Sequence, residues 1–321
     1  MDAEINDLIV GIYQLIDTVP LERFKASTFD LVAKIIPVRA ALWGDGLATF
    51  PPVVHSLYLY NLPEEGMATY APYAKEDVLY HAVLANPNRT IRRSDLISRQ
   101  EYEASEMYCH HGRRWRTEWA MSSSMVDPEL ELYTIISLYR SFDEADFSDR
   151  EKSLKQLLIP HMVNAYRIKL FRESLAVDAS AERFWDMAIV DSRGAIHHAS
   201  PGLIKLLRKH WKDWRGPYLP KEVMDRLSGE PPWFFIDSFY FSLSPLRDSL
   251  MFMKCKDTNC LKNLGVSECK VAFLLSLGWS YKEVSRGLGI SPSTVTNHVN
   301  HIYSKLNIAS KNELRHLFLN L

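Results

Sequence analysis

Between Gly278 and Pro292 the chain fits a helix stop, one complete short helix and the start of another, and this punctuation limits the local fold severely. The pattern from Ser267 to Leu277 predicts a helix that Gly278 ends. Ser280 opens the next, with Glu283 three residues on: the serine oxygen takes the third amide while the glutamate reaches back, a capping box. The Gly287 to Gly289 corner closes that helix. After the turn Gly289-Ile290-Ser291, Ser291 caps a third helix whose first position is Pro292, where a missing amide proton costs nothing. Ser310 with Glu313 forms another capping box and opens a fourth. Residues 264–321 therefore read as an all-α four-helix domain with two helices joined by a tight turn.

The third helix has two faces. Val295, Val299, Ile302 and Leu306 fall at i, i+4, i+7 and i+11, an apolar stripe that must pack on the other helices. Opposite lie Ser293, Thr296, Asn297, Asn300 and Ser304, all small or amide-bearing. An exposed face that is merely solvated usually carries Lys, Glu and Arg, yet from Ser291 to Ala309 the only formal charge is Lys305, apart from any proton on His298 or His301. Hydroxyls and amides are the groups that read base edges in a major groove, Asn pairing with adenine. Double-stranded DNA is thus the favoured partner of this face, with bland exposure as the alternative.

Charge agrees. The chain is nearly balanced at -1, but residues 261–321 hold seven Lys/Arg against three Glu, leaving an acidic body ahead of a basic tail. A basic tail suits a polyanion. The chain has 321 residues, 47% hydrophobic and 24% charged, which suits two or three soluble globular domains. No apolar run reaches the length of a membrane span, and Asp2, Glu4 and Asp7 give the start the wrong sign for a signal peptide, so a cytoplasmic location without membrane contact is expected. The four cysteines make no disulfide framework. Cys255, Cys260 and Cys269 lack zinc-finger spacing, and Cys109 with His110 and His111 puts adjacent histidines about 100° apart on a helix; no metal site and no cofactor is expected.

Ahead of the tail the pattern is mixed α/β. Two helices broken near Pro20 cover Asp2 to Ile36. Short β-prone runs follow, Arg39 to Trp43 and Val54 to Tyr60, separated by Gly44, Gly46, Pro51 and Pro52. Residues 64–111 read as mostly helical. Trp115, Thr117, Trp119, Met121 and then Leu130, Leu132, Thr134, Ile136, Leu138 alternate as strands about a turn at Asp127-Pro128. Ser148-Asp149-Arg150-Glu151 is a capping box opening a long helix to about Leu175, with apolar Leu154, Leu157, Leu158, Met162, Ala165 and Ile168. A hairpin and capped helix near 188–210 and two β-rich stretches to Cys255 make a second small sheet domain, and residues 256–263 are a polar linker.

From Leu264 to Leu321 the chain resembles the LuxR/FixJ-type helix-turn-helix family through Ser267-Glu268, Val271, Gly278-Trp279-Ser280-Tyr281-Lys282-Glu283-Val284, Leu288-Gly289-Ile290-Ser291, Thr294-Val295, Asn297-His298-Val299, Ile302 and Lys305-Leu306. The resemblance implies that Thr296, Asn297 and Asn300 face bases while Lys282, Thr294, His298 and Lys305 approach phosphates. Ser291, Ser293 and His301 complete the candidate DNA-binding set. It also implies homodimerisation through the fourth-helix stripe Leu314, Leu317, Phe318 and Leu321, for which packing inside the domain is the even alternative. The family often has Lys where Thr296 stands, a loss that weakens nonspecific phosphate attraction.

Residues 1–176, through Leu138-Tyr139-Arg140, Phe147 to Glu151 and Leu158 to His161, are similar to GAF-like sensory regions, and residues 177–255, through Ile189 to Gly194, Ala199-Ser200-Pro201 and Leu206-Leu207, to PAS-type domains. These resemblances imply sensing of a small-molecule effector. Trp43, Tyr58, Tyr60, Trp115 and Trp119 are the aromatics that would line a pocket, although strand aromatics are more often plain core. The expected whole is an α+β multidomain transcription regulator, non-enzymatic, with RNA polymerase as a further candidate partner. The rivals are an adaptor that kept the helical fold without touching DNA, and an enzyme, for which no G-x-S-x-G, phosphate-cradling loop or H-E-x-x-H is present.

Overall fold

The computed structural model describes residues 2–47, 53–127, 130, 132–177, 185–246, 250–259 and 263–319. Pro51, Pro52, Pro128, Cys260 and Leu321 lie outside them. The chain divides into two compact units, 1–173 with 215–217, and 174–214 with 218–321.

In the first unit, helices α1 (Asp2–Thr18) and α2 (Leu21–Ala33) precede strands β1 (Ala40–Leu47) and β2 (Val53–Tyr60). Helices α3 (Glu65–Tyr70) and α4 (Val78–Ala85), strand β3 (Thr90–Arg92), and helices α5 (Arg99–Glu103) and α6 (Arg113–Trp115) follow. Strands β4 (Trp119–Asp127) and β5 (Leu132–Arg140) and helix α7 (Asp149–Val177) complete it. The strands form one antiparallel sheet in the order β2-β1-β5-β4-β3. Leu8, Ile12 and Ile16 of α1, Phe24, Phe29 and Val32 of α2, and Leu154, Leu158, Met162 and Ala165 of α7 recur at helical spacing and bury against one sheet face, where Trp43, Met121, Ile136 and Leu138 meet them. Each large side chain so buried contributes about 2 kcal/mol.

Three sequence expectations change here. Leu157 and Ile168, placed in the apolar stripe of α7, are 47% and 42% exposed because they fall on its outer side. Trp115 does not begin a strand: it ends α6, and Arg116 at φ 56° turns the chain left-handed before β4 starts at Trp119. Strand β3 lies within a stretch expected to be mostly helical, since its pairing with β4 is a long-range choice that local pattern does not carry.

The second unit has strands β6 (Asp186–Asp191) and β7 (Ile196–Ala199), helices α8 (Pro201–His210) and α9 (Lys221–Met224), and strands β8 (Trp233–Ile236), β9 (Phe239–Pro245) and β10 (Leu250–Asp257), in the sheet order β7-β6-β10-β9-β8. Ser200 caps α8 by accepting from the Leu203 amide, with Pro201 at the first position. Four helices close the unit: α10 (Val266–Ser276), α11 (Tyr281–Leu288), α12 (Pro292–Leu306) and α13 (Lys311–Leu319). No helix of the described residues is long and apolar enough to cross a membrane.

Candidate functional site

The turn between α11 and α12 is built from the caps that the sequence announces. Ser280 Oγ accepts from the Glu283 amide at 3.3 Å while Glu283 Oε2 accepts from the Ser280 amide at 2.7 Å. Gly289 takes φ +66°, a region that L side chains rarely adopt, so a residue without Cβ suits the corner. Ser291 Oγ accepts from the Thr294 amide at 3.0 Å and opens α12. Val295, Val299 and Ile302 are at most 2% exposed and pack with Val271, Ala272, Leu274, Leu275 and Val284. That fixes the rotation of α12 and turns Ser293, Thr296, Asn297, Asn300 and Ser304 to the surface, with Thr294 and His298 half-buried beside them.

The surface groups differ in what they have free. Thr296 Oγ1 donates to Pro292 O at 3.1 Å, and the Ser291 hydroxyl shares bonds with those of Ser293 and Thr294. Asn297 and Asn300 have no hydrogen-bond partner for their amides among the described residues, so both keep full donor and acceptor capacity. Lys282 on α11 and His301 on α12 are exposed. Lys305 departs from the expectation of a phosphate-seeking lysine: its Nζ donates to Glu268 Oε1 at 2.9 Å and Oε2 at 2.7 Å. That hydrogen bond is the chief cause holding the Glu268 carboxyl below its ordinary range. The partners are 37 residues apart on α10 and α12, beyond any local signal.

Two residues of the fourth-helix stripe, Leu314 and Phe318, pack inward. Leu314 is fully buried, Phe318 is 6% exposed with its ring 5.7 Å from that of Phe273, and Leu317 is half-buried. Helix α10 buries every residue from Val271 to Ser276 and so needs cover on more than one side, which α13 supplies. Lys311 fastens this arrangement by donating to the carbonyls of Gly278 at 2.9 Å and Trp279 at 2.7 Å.

The module also rests on the second sheet. Tyr240 and Phe235 are direct cross-strand neighbours, and with Trp185 and Trp233 they meet Phe273 and Trp279. The Tyr240 and Phe273 rings are 5.1 Å apart, and those of Trp233 and Trp279 meet edge to face at 5.0 Å. A Cβ on Gly287 would lie 2.8 Å from Trp279 and 2.9 Å from Trp233, so this glycine is a close-approach position inside α11 rather than a helix stop.

Residues 262–318 match the family of bacterial regulatory proteins known as the luxR (GerE) family. The C-terminal module is a LuxR-type helix-turn-helix domain. A relative from Aeromonas salmonicida, named as an HTH-type transcriptional regulator in the exeN 3′ region, is 45% identical over 53 residues, 16% of this chain; the chain spans 27% of its length. Among solved structures, the N-acylhomoserine lactone dependent LuxR family factor CepR2 of Burkholderia cenocepacia aligns with TM-score 0.39 at 14% identity, over 53% of this chain and 97% of that one. SdiA of Escherichia coli aligns at 0.36 and 15% identity, over 94% of this chain and 91% of that one.

Ahead of the LuxR-type module, the first sheet has a cavity of about 100 Å³ on the face away from α1, α2 and α7. Side chains alternate across a sheet, and the residue parity decides everything. Trp43 and Tyr58 are cross-strand partners pointing to the helix face, as do Tyr60 and Trp119. Leu42, Gly44 and Leu57, one residue away, line the cavity together with Ser122, Ile135, Ser137 and Tyr139. Trp115 sits on α6 and donates from Nε1 to Thr69 Oγ1 at 2.7 Å. None of the five aromatics expected to line a pocket is among the cavity residues. The polar lining is instead Tyr70, Asp77, Arg93, His111 and Thr117, with Asp45, which pairs with buried Lys25 at 3.5 Å. Asp77 caps α4 by accepting from the Leu79 amide at 3.0 Å, and it accepts from the Tyr70 hydroxyl at 3.1 Å. Burial, then the charge of Arg93, pulls the His111 pKa down to about 4, so its imidazole is neutral at pH 7. An acidic residue before an apolar helix start was the sequence signal for Asp77; nothing local announced Arg93.

Among the described residues the cysteines do not gather. Cys255 is buried in β10 and Cys269 in α10, while Cys109 is exposed. His110 pairs with Glu106 at 3.0 Å and His111 points into the first unit's cavity.

Proposed function

We propose that the chain is a sequence-specific DNA-binding transcription regulator whose N-terminal domain senses a small molecule. The observation that carries the reading is the outer face of α12, on which Asn297 and Asn300 stand exposed, their amides without a partner among the described residues. Such amides satisfy themselves against adenine edges in a major groove, with a serine- and threonine-rich N-terminus of the helix beside them for phosphate oxygens. Lys282 and His298 add the approach to the backbone. The LuxR-type match supports the same reading. A single recognition helix covers few base pairs, so action as a homodimer on paired half-sites is part of the proposal. The common strand order of the two sheets supports treating residues 1–176 as GAF-like and 177–255 as PAS-like, with the cavity of the first as the sensory site. Regulation then passes to RNA polymerase at the bound promoter, and the chain itself performs no catalysis.

Gel retardation of genomic fragments by the full chain at low salt tests this. A subset of fragments shifted at micromolar protein is the expected result. Uniform weak retardation of every fragment, or none, would remove the sequence-specific reading.

A further inference from the structure

We propose that the cavity of the N-terminal sheet selects a small amphipathic carboxylate, with Arg93 as the group that binds its anionic end. This rests on the sensory reading of that domain and names the chemistry of the ligand it senses.

Arg93 is 5% exposed and lines the cavity. Its Nη1 donates to the carbonyls of Thr117 at 3.2 Å and Glu118 at 2.6 Å, and the Tyr102 ring covers the guanidinium face at 4.1 Å. Among the described residues Nε and Nη2 have no acceptor, and no carboxylate lies in ion-pair range of the group. A buried guanidinium is ordinarily paired, because an isolated charge in low dielectric is costly. Two of the carboxylates nearby are already engaged, and the third, Glu118, makes no ion pair with Arg93 although its buried Oε2 has no hydrogen-bond partner. Asp45 belongs to Lys25 and Thr134, and Asp77 accepts from Tyr70 and from the α4 amide. Glu118 turns its backbone carbonyl, not its side chain, to Arg93.

A second polar group waits beside it. Thr117 is 1% exposed, its Oγ1 has no hydrogen-bond partner, and it lines the same cavity. An unpaired buried hydroxyl next to an unpaired guanidinium fits one carboxylate, which takes a charge-assisted pair from arginine and a further bond from threonine. The neutral state of His111 follows partly from the same positive charge and adds no competing cation. Leu42, Leu57, Leu79, Val83 and Met107 supply apolar wall between the polar groups. The cavity of about 100 Å³ admits a branched chain of a few carbons, since an engineered cavity of about 150 Å³ holds benzene.

Three isosteric probes differing in charge decide the matter by calorimetry or chemical-shift titration of the full chain at pH 7: 3-methylbutanoate, 3-methylbutanamide and 3-methylbutylammonium. The carboxylate is expected to bind about tenfold or more tightly than the amide. Arg93→Met should bring the two within about twofold, whereas Arg93→Lys should keep part of the preference. Should Arg93→Met not fold, Thr117→Val tests the same pair and is expected to lower the ratio several-fold while leaving the thermal midpoint of the empty protein unchanged or higher. Equal binding of acid and amide, tighter binding of the ammonium, a preference that survives Arg93→Met, or binding of none of the three would overturn the proposal. Tight amide binding alone would leave the sensory reading standing without the anionic one. DNA retardation, measured separately, is indifferent to either.

Discussion

The two sheets share one strand order but use their faces differently. Both run second-first-fifth-fourth-third in their own strand sequence, so each places its first and last strands side by side. The N-terminal sheet covers one face with α1, α2 and α7 and keeps a polar-lined cavity on the other. The second sheet instead presents Trp233, Phe235 and Tyr240 to the helices of the LuxR-type module. One sheet keeps a cavity, and the other is a seat for the helices of the LuxR-type module. The lesson is that topology alone does not assign a role, whereas the residues of one parity do.

The sharpest way to break this contrast is to damage the seat. Tyr240 is 5% exposed and contacts Trp185, Trp233, Phe235 and Phe273, so Tyr240→Ala is expected to destabilise the second unit by about 3 to 5 kcal/mol in denaturant unfolding. A cost below about 1 kcal/mol would mean that the head does not depend on the seat. Trp233→Ala serves as a second test of the same surface.

The cavity side has a pH signature. His111 binds its proton at about 4 in the folded chain against an ordinary value of 6.5. The unfolded chain therefore takes up that proton first. The associated stability is present above about pH 6.5 and is lost as pH falls towards 4, by up to roughly 3 kcal/mol. His111→Gln should flatten this part of the profile, and an unchanged slope would contradict the burial of the imidazole. Arg93 and Asp77, which act on His111 with opposite signs, should shift the profile in opposite directions when neutralised.

What was legible in the sequence and what was not follows from range. Ser280 with Glu283, Gly289, and Ser291 with Pro292 act within four residues of themselves, so the caps, the tight turn and the two faces of α12 could be read directly. The Lys305 to Glu268 pair, the use of Leu314 and Phe318 inside the module, and Gly287 against two tryptophans are tertiary facts between distant segments. The cavity was missed for a simpler reason. The aromatic signal of Trp43, Tyr58, Tyr60 and Trp119 marks the well-packed face, whereas the open face is lined by a different set: leucines, glycines, serines, the tyrosines Tyr133 and Tyr139, and the buried Arg93 beside them.

Smaller effects sharpen the reading head. Asn297→Ala and Asn300→Ala are each expected to reduce discrimination between a preferred site and its single-base variants by about 1 to 3 kcal/mol, with stability nearly unchanged because both are exposed. Lys305→Ala should have the smallest consequence for DNA. Its charge is already matched by Glu268, so the slope of log affinity against log salt should change by less than the value of about 1 expected for a lysine bound to phosphate. Lys282→Ala, which removes an exposed charge, should show the larger change in slope.

The most direct test of the reading head is fluorescence anisotropy of the full chain on its best genomic fragment and on a scrambled duplex, with and without the pair Asn297→Ala and Asn300→Ala. The account predicts strong preference for the genomic site in the parent protein and its collapse in the double variant, while binding to the scrambled duplex stays the same. A double variant that keeps the full preference would contradict the assignment of this helix face to the DNA bases.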